Sequence, residues 1–473
     1  MLFLKGEPVA KTKQKEEVPL FEKEGSGKIC WRGRLWLLLA ALSLLCMTTP
    51  GHAEIGDILL RFRPYITVEE TYDSNVDLTP DHEEDDFITA VSFGVMFSTR
   101  QRSERTMDFR PPSATEEERY GVDLDFRVIP TFYAKNTSDD YLGLAGTLNT
   151  WYTWDRRLTF RVRNSLIRSE DPLEEDYAPT ALPGQVVLGS QNDRAIYYRN
   201  VFSPSLAYRF GRENNISFNY TNNIYRNENS NFEDSTEHFI NPSINYWFDI
   251  RHGIFLEYGL DFGKFQDSPD MSGDLLRGRY TYRFNPRTSV FGEYTYRRRD
   301  FSGPQTTDDV DYEIHNPALG FEHAFSRTFS VRASGGYFWE TQEIGSGENG
   351  PFYDVVFRQL AQRTTYTLGF QGGYTEDYFS ADNLGFATYH QVIGTITHQL
   401  AQRTALTLSG RYQRPEYNDG QKDNLWGGDA GVSYQLFRWL NLGLNFSYAE
   451  NNSNRDEAEY KDYRGMFRIT AAY

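Results

Sequence analysis

Cysteine is almost missing from this chain. Its 473 residues include two, Cys30 and Cys46, both near the N-terminus. Disulfide frameworks and thiolate metal sites are thereby excluded from everything that follows them. Long apolar runs are also scarce. The longest, Leu35 to Met47, falls short of the roughly 20 residues a spanning helix needs, and the mean hydropathy is −0.62. A helical membrane bundle is therefore excluded. A β-barrel is not, because only every second strand residue meets lipid. Basic excess is lacking as well: 49 Lys and Arg stand against 66 Asp and Glu, a net charge of −17. A chain this acidic is a poor binder of nucleic acid.

Catalytic and metal-binding patterns are equally sparse. His390 and His398 share a strand face but stand about 26 Å apart at ~3.3 Å per residue, and the other histidines are scattered. Acidic pairs such as Asp139-Asp140 and Asp308-Asp309 fall in solvated loops. No nucleophile elbow, phosphate loop or dinucleotide fingerprint occurs, and no loop has EF-hand spacing. No enzyme activity, cofactor or metal is expected.

The apolar run Leu35–Met47 follows Lys28, Arg32 and Arg34 and precedes Gly51-His52-Ala53. A basic stretch, an apolar stretch and a small-x-small site make a signal peptide, with cleavage expected after Ala53. Leu45 before Cys46 argues against lipoprotein processing. Residues 1–53 carry 8 basic and 5 acidic residues, so the expected mature chain keeps 41 and 61, a net charge of −20. The domains are then a removed leader, 1–53, and one barrel, 54–473.

Aromatic residues are abundant, at 16% with 32 Tyr and 34 Phe. They fall in segments that alternate strictly. Leu440, Leu442, Leu444, Phe446 and Tyr448 are separated by Asn441, Gly443, Asn445 and Ser447. Ile254, Leu256, Tyr258, Leu260 and Phe262 alternate with Phe255, Glu257, Gly259 and Asp261, and the next two segments repeat the pattern. Successive strand residues face opposite sides, so each segment has one apolar and one polar face. These segments run about 10 to 15 residues, whereas strands of soluble proteins usually run about 5 to 6. A tilted strand needs about 9–11 to cross a bilayer. The pattern predicts an all-β, up-and-down antiparallel transmembrane barrel of about 20 strands (18–20) with a water-filled lumen.

Connections alternate between two kinds. Short ones carry arginine, as in Asp155-Arg156-Arg157 and the twin Leu-Ala-Gln-Arg-Thr stretches at 360–364 and 400–404. Longer acidic ones are expected at 73–86, 169–193, 228–237, 267–274, 300–311, 341–354 and 450–462, and 99–118 is a long exception on the short-turn side. Short turns at one rim and long loops at the other are a barrel asymmetry. The 169–193 loop is a candidate lumen constriction.

Alternation places Arg161, Arg163, Glu257, Asp261, Arg277, Arg279, Arg283, Glu293, Arg297, Arg299 and Arg411 on the lumen side, with Asp123, Asp125 and Arg127. Two readings stay open: a transverse field that steers charged solutes or an anionic polymer, and cross-strand salt bridges that stiffen the wall. The second is favoured for most of them. At the C-terminus Gly465, Phe467, Ile469 and Tyr473 alternate to a final aromatic, as in the signal read by the barrel-assembly machinery.

At Tyr72-Asp73-Ser74-Asn75, followed by an acidic loop and Asp86-Phe87-Ile88, the chain resembles the putative β-barrel porin 2 family. The resemblance implies an outer-membrane channel of a Gram-negative cell that exports exopolysaccharide, with periplasmic polysaccharide-export proteins as partners beside outer-membrane lipid and lipopolysaccharide. Alternatives are a general or solute-selective diffusion porin and a sheath around a partner such as a cytochrome. A structural reading of the tetrad competes with a substrate role, since Asp and Asn at a strand end bond the backbone and stop the strand.

Overall fold

The computed structural model describes residues 62–99, 119–171, 195–229, 232–302, 311–343, 347–379 and 385–472. The expected leader with its cleavage after Ala53, the 100–118 segment, most of the 169–193 loop and Tyr473 lie outside the described residues.

The alternating segments become strands: β1 Phe62–Asp73, β2 Asp86–Ser98, β3 Tyr120–Tyr133, β4 Tyr141–Trp154, β5 Leu158–Ser169, β6 Tyr197–Arg209, β7 Asn215–Asn227, β8 Ser235–Trp247, β9 His252–Phe265 and β10 Asp270–Asn285. The second half follows with β11 Thr288–Ser302, β12 Tyr312–Ala324, β13 Phe329–Gln342, β14 Asn349–Leu360, β15 Thr364–Asp377, β16 Gly385–Ala401, β17 Thr404–Tyr417, β18 Asp423–Phe437, β19 Leu440–Ser453 and β20 Tyr460–Ala472. Each pairs antiparallel with its sequence neighbour, and β1 pairs with β20, closing a ring of 20 strands. Ring closure removes the two free edges that an open sheet would have, the condition for crossing hydrocarbon.

The outward faces are apolar and uncovered by protein. Leu444 and Phe446 on β19 are 61% and 53% exposed, and Leu319 on β12 is 75% exposed. Rings band this belt at both rims. Tyr246–Phe248, Tyr282–Phe284 and Phe437–Trp439 pack at the short-turn end; Tyr72–Phe87, Tyr412–Trp426 and Tyr448–Tyr463 pack at the loop end. An apolar band between two aromatic girdles fits a bilayer and its interfaces.

Several loops are shorter than the sequence predicts. The connection expected at 267–274 ends where β10 begins at Asp270, that at 341–354 ends at Asn349, and that at 450–462 shrinks because β19 runs to Ser453. The ladder continues past the bilayer into water, where both faces are polar and the alternation that marks a strand fades. Many acidic residues there cap strand ends. The Asp86 carboxylate accepts from the backbone N–H of Phe87 (2.7 Å), Lys135 (3.0 Å) and Asn136 (2.9 Å), and Glu233 accepts from Gln266 (2.6 Å) and Asp267 (2.9 Å). Such charge-assisted bonds satisfy donors that the ladder leaves open.

Candidate functional site

The lumen is built from alternate residues of every strand. On β9–β11 the inward positions hold Glu257, Arg277, Arg279 and Glu293. Arg277 Nη2 lies 3.0 Å and Arg279 Nε 2.6 Å from Glu293, and Arg277 is 4.0 Å from Glu257. Asn241 donates to Glu257 at 2.7 Å. Arg279 also lies 4.3 Å over the Phe291 ring, and Arg283, which pairs with Glu213 at 2.9 Å, lies 3.6 Å over Trp247. The Arg283 guanidinium holds the turn carboxyl of Glu213 below its usual range. Most of these arginines therefore bridge strands, as the structural reading expected.

The mid-lumen pairs share an asymmetry that the turn pair Arg283–Glu213, 31% against 45% exposed, does not show. The Arg277 side chain is 36% exposed, while Glu257 and Glu293 are 14% and 12% exposed. Arg332 is 49% exposed against 14% for its partner Asp354, at 2.6 Å. Carboxylates lie against the wall and guanidinium groups stand over them. Arg163 on β5 is exposed too and makes no ion pair among the described residues. Its neighbour Arg161 is half-buried. Arg411 donates to Gln391 at 3.1 Å and to Gln413. Although the chain is acidic overall, in these mid-lumen pairs the cation is the more exposed partner.

A second charge cluster lies toward the loop end. Arg299 Nη1 is 2.7 Å from Asp261 on β9, and its Nε and Nη2 lie 3.0 and 3.1 Å from the two oxygens of Glu376. Arg297 also pairs with Glu376, which accepts from Tyr312 Oη at 2.6 Å. Arg297, Arg299 and Asp261 were readable as inward residues; Glu376 was not, because the alternation breaks before it. Gln371 bonds Asp354 in the lumen, and Tyr374, at the opposite parity, packs on the lumen residue Phe338. Between them Gly373 adopts a φ of +151°, a backbone state side chains rarely enter. The Gly372-Gly373 pair within a strand was the available signal.

The Tyr72-Asp73-Ser74-Asn75 tetrad is a seam between the first and last strands. Asp73 is fully buried and pairs with Arg464 at 3.1 Å. Ser74 Oγ donates to Asp462 and accepts from the Tyr463 N–H at 2.7 Å. Asn75 donates to the carbonyls of Thr79 and Lys461. Tyr72 faces outward. These contacts agree with the strand-stopping reading. The described start of the 169–193 loop turns inward: Asp171 reaches Arg464 at 2.7 Å. Gly465, Phe467 and Ile469 face outward on β20, opposite Phe446, Leu444 and Leu442.

Residues 264–473 match the model of the family described as Putative beta-barrel porin 2. The match covers the strands from β10 onward and does not include the tetrad Tyr72-Asp73-Ser74-Asn75. With the closed topology and the apolar belt, it makes the protein an outer-membrane β-barrel of porin-like type. Comparison with curated proteins finds no match. Among solved structures, the apoprotein form of the FrpB iron transporter from Neisseria meningitidis aligns at TM-score 0.49 and 8% identity, over 88% of this chain and 82% of that one. The siderophore receptor PirA from Pseudomonas aeruginosa aligns at 0.47 and 10%, over 87% and 80%. The outer membrane protein OpdK of Pseudomonas aeruginosa aligns at 0.38 and 13%, over 87% and 99%. Nothing about cargo transfers at these values. Among the described residues no cluster of His, Cys, Asp and Glu could hold a metal ion.

Proposed function

We propose that the barrel is an export channel for an acidic exopolysaccharide in the outer membrane of a Gram-negative cell. One observation carries the cargo class: lumen guanidinium groups stand exposed above carboxylates that lie against the wall. A polyanion passing at contact distance meets the cations first, and a low-dielectric wall focuses that field. Inward amides, including Asn219, Asn241, Gln371 and Gln391, offer donors and acceptors suited to sugar hydroxyls. The outward direction is supported by the resemblance to a family that accompanies exopolysaccharide secretion. Periplasmic polysaccharide-export proteins and the barrel-assembly machinery are the partners this reading requires, and residues 1–53 are the proposed targeting leader.

The same exposed guanidinium groups would suit a porin selective for small anions. A deletion strain separates the two. Loss of surface polysaccharide with unchanged uptake of small anions is expected; intact polysaccharide with impaired anion uptake would shift the assignment to the porin. In planar bilayers the reversal potential should show anion selectivity, and acidic oligosaccharides should block the current more strongly than neutral ones.

A further inference from the structure

β15 does not stay in the wall. It pairs with β14 only as far as Tyr353 opposite Gly372, although β14 continues to Asn349 on its other side, against β13. β16 keeps a ladder on both sides there, pairing Thr388 with Tyr374 and Phe386 with Glu376 on β15, and Ala387 with Tyr417 on β17. The wall thus parts between β14 and β15, and the outer end of β15 turns inward at Gly373, whose φ of +151° permits the turn, while β16 stays on β17 as far as Ala387.

The destination of β15 is across the lumen. Glu376 meets Arg299 on β11, four strands away in the ring, and Phe379 stacks on Phe265 at the end of β9, six strands away, with centroids 5.3 Å apart. Six strands span roughly 29 Å of sheet at about 4.8 Å each, so contact is possible only through the interior. Tyr378 packs on Phe301 at 5.4 Å and bonds Tyr312 Oη at 3.2 Å. A cluster that includes Met271, Ile314, Phe338 and Phe386 fills the space beneath. Apolar burial thus surrounds an ion cluster of two arginines and two acids.

We propose that the outer end of β15 forms the size-limiting constriction of the channel, held across the lumen by the grip of Arg297 and Arg299 on Glu376. This rests on the channel reading above but not on its cargo. β15 keeps its ladder with β16, but no ladder joins it to β11 or β9, so its hold on the far wall depends on the ion pairs and the aromatic contacts.

Two measurements test it on the purified full barrel. No cysteine follows Cys46, so a Phe265→Cys/Phe379→Cys pair reads cleanly. Mild oxidation should join the pair within one chain, seen as thiol loss and a mobility shift; failure to cross-link overturns the proposal. In planar bilayers Glu376→Gln should raise conductance several-fold and admit larger poly(ethylene glycol) probes, while the oxidised cysteine pair stays at the wild-type level. Should Glu376→Gln not fold, by heat-modifiable electrophoretic mobility, a Tyr378→Phe/Phe379→Ala variant carries the same expectation without disturbing charge. Conductance and size limit unchanged in the folded variant overturn the proposal. A raised size limit without block by acidic oligosaccharides supports the constriction and removes the cargo reading alone.

Discussion

Glu293 and Arg299 sit on the same strand, six residues apart, in clusters built to opposite rules. Around Glu293 the partners Arg277 and Arg279 come from β10, a strand the backbone already pairs with β11, and their guanidinium groups remain in the lumen. Arg299 and its partners Asp261 and Glu376 are nearly buried, and Glu376 comes from a stretch of β15 that no longer pairs with β14. The first arrangement adds little to a ladder already formed and presents charge to whatever passes. The second replaces a ladder that is absent. Exposed pairs are worth about 0–1 kcal/mol, whereas removing one partner of a buried pair costs about 3–5 kcal/mol. Position in the ring, more than residue type, separates a lining charge from a tether.

The largest expected effect belongs to the seam that shares the buried rule. Arg464→Met leaves Asp73, Asp462 and Asp171 without their cation, and the urea unfolding midpoint in detergent should fall by the equivalent of about 3–5 kcal/mol. A loss as small as that of Arg277→Met would erase the distinction. Next comes the lipid face: Leu444→Arg should cost about 2–4 kcal/mol near the bilayer centre, and Asn445→Arg, one residue on and facing the lumen, much less. Glu293→Gln should change stability by no more than about 1 kcal/mol. It should also make the channel more anion-selective, because Arg277 and Arg279 lose their counter-charge; a large stability loss with unaltered selectivity would mean that the mid-lumen pairs are tethers too.

The smallest effect is at the short-turn rim. Asp249 accepts from the backbone N–H of Arg251 (2.6 Å) and His252 (2.8 Å), which hold its carboxyl below its usual range. A lowered folded value contributes stability that is full above the ordinary carboxylate value near 3.8 and lost as pH falls through the folded one. The drop in unfolding midpoint between pH 7 and pH 3 should be slightly smaller in Asp249→Asn than in the parent.

What was legible in the sequence follows from the same division. Leu442, Leu444 and Phe446 alternate with Asn441, Gly443 and Asn445 because two solvents impose a period of two, so an antiparallel barrel of about 20 strands could be read directly. Beyond the bilayer that constraint lapses, and β10, β14 and β19 run further than the apolar pattern showed. Glu376 stayed hidden for a different reason: a single glycine backbone reverses the parity after Gln371, and no side-chain pattern records the reversal. The tetrad Tyr72 to Asn75 was legible as a strand stop, but its bonds to Asp462, Tyr463 and Lys461 depend on closure between residues almost four hundred positions apart.

The claim beneath all of this is that hydrocarbon covers one face of each strand and water the other. Single cysteines placed in turn at positions 441 to 447 of β19, in outer membranes, measure it directly. A charged, water-soluble thiol reagent should label positions 441, 443, 445 and 447, and a lipid-soluble one should label 442, 444 and 446. Uniform labelling, or protection of 442, 444 and 446 from both reagents as in a dry protein interior, would contradict the account.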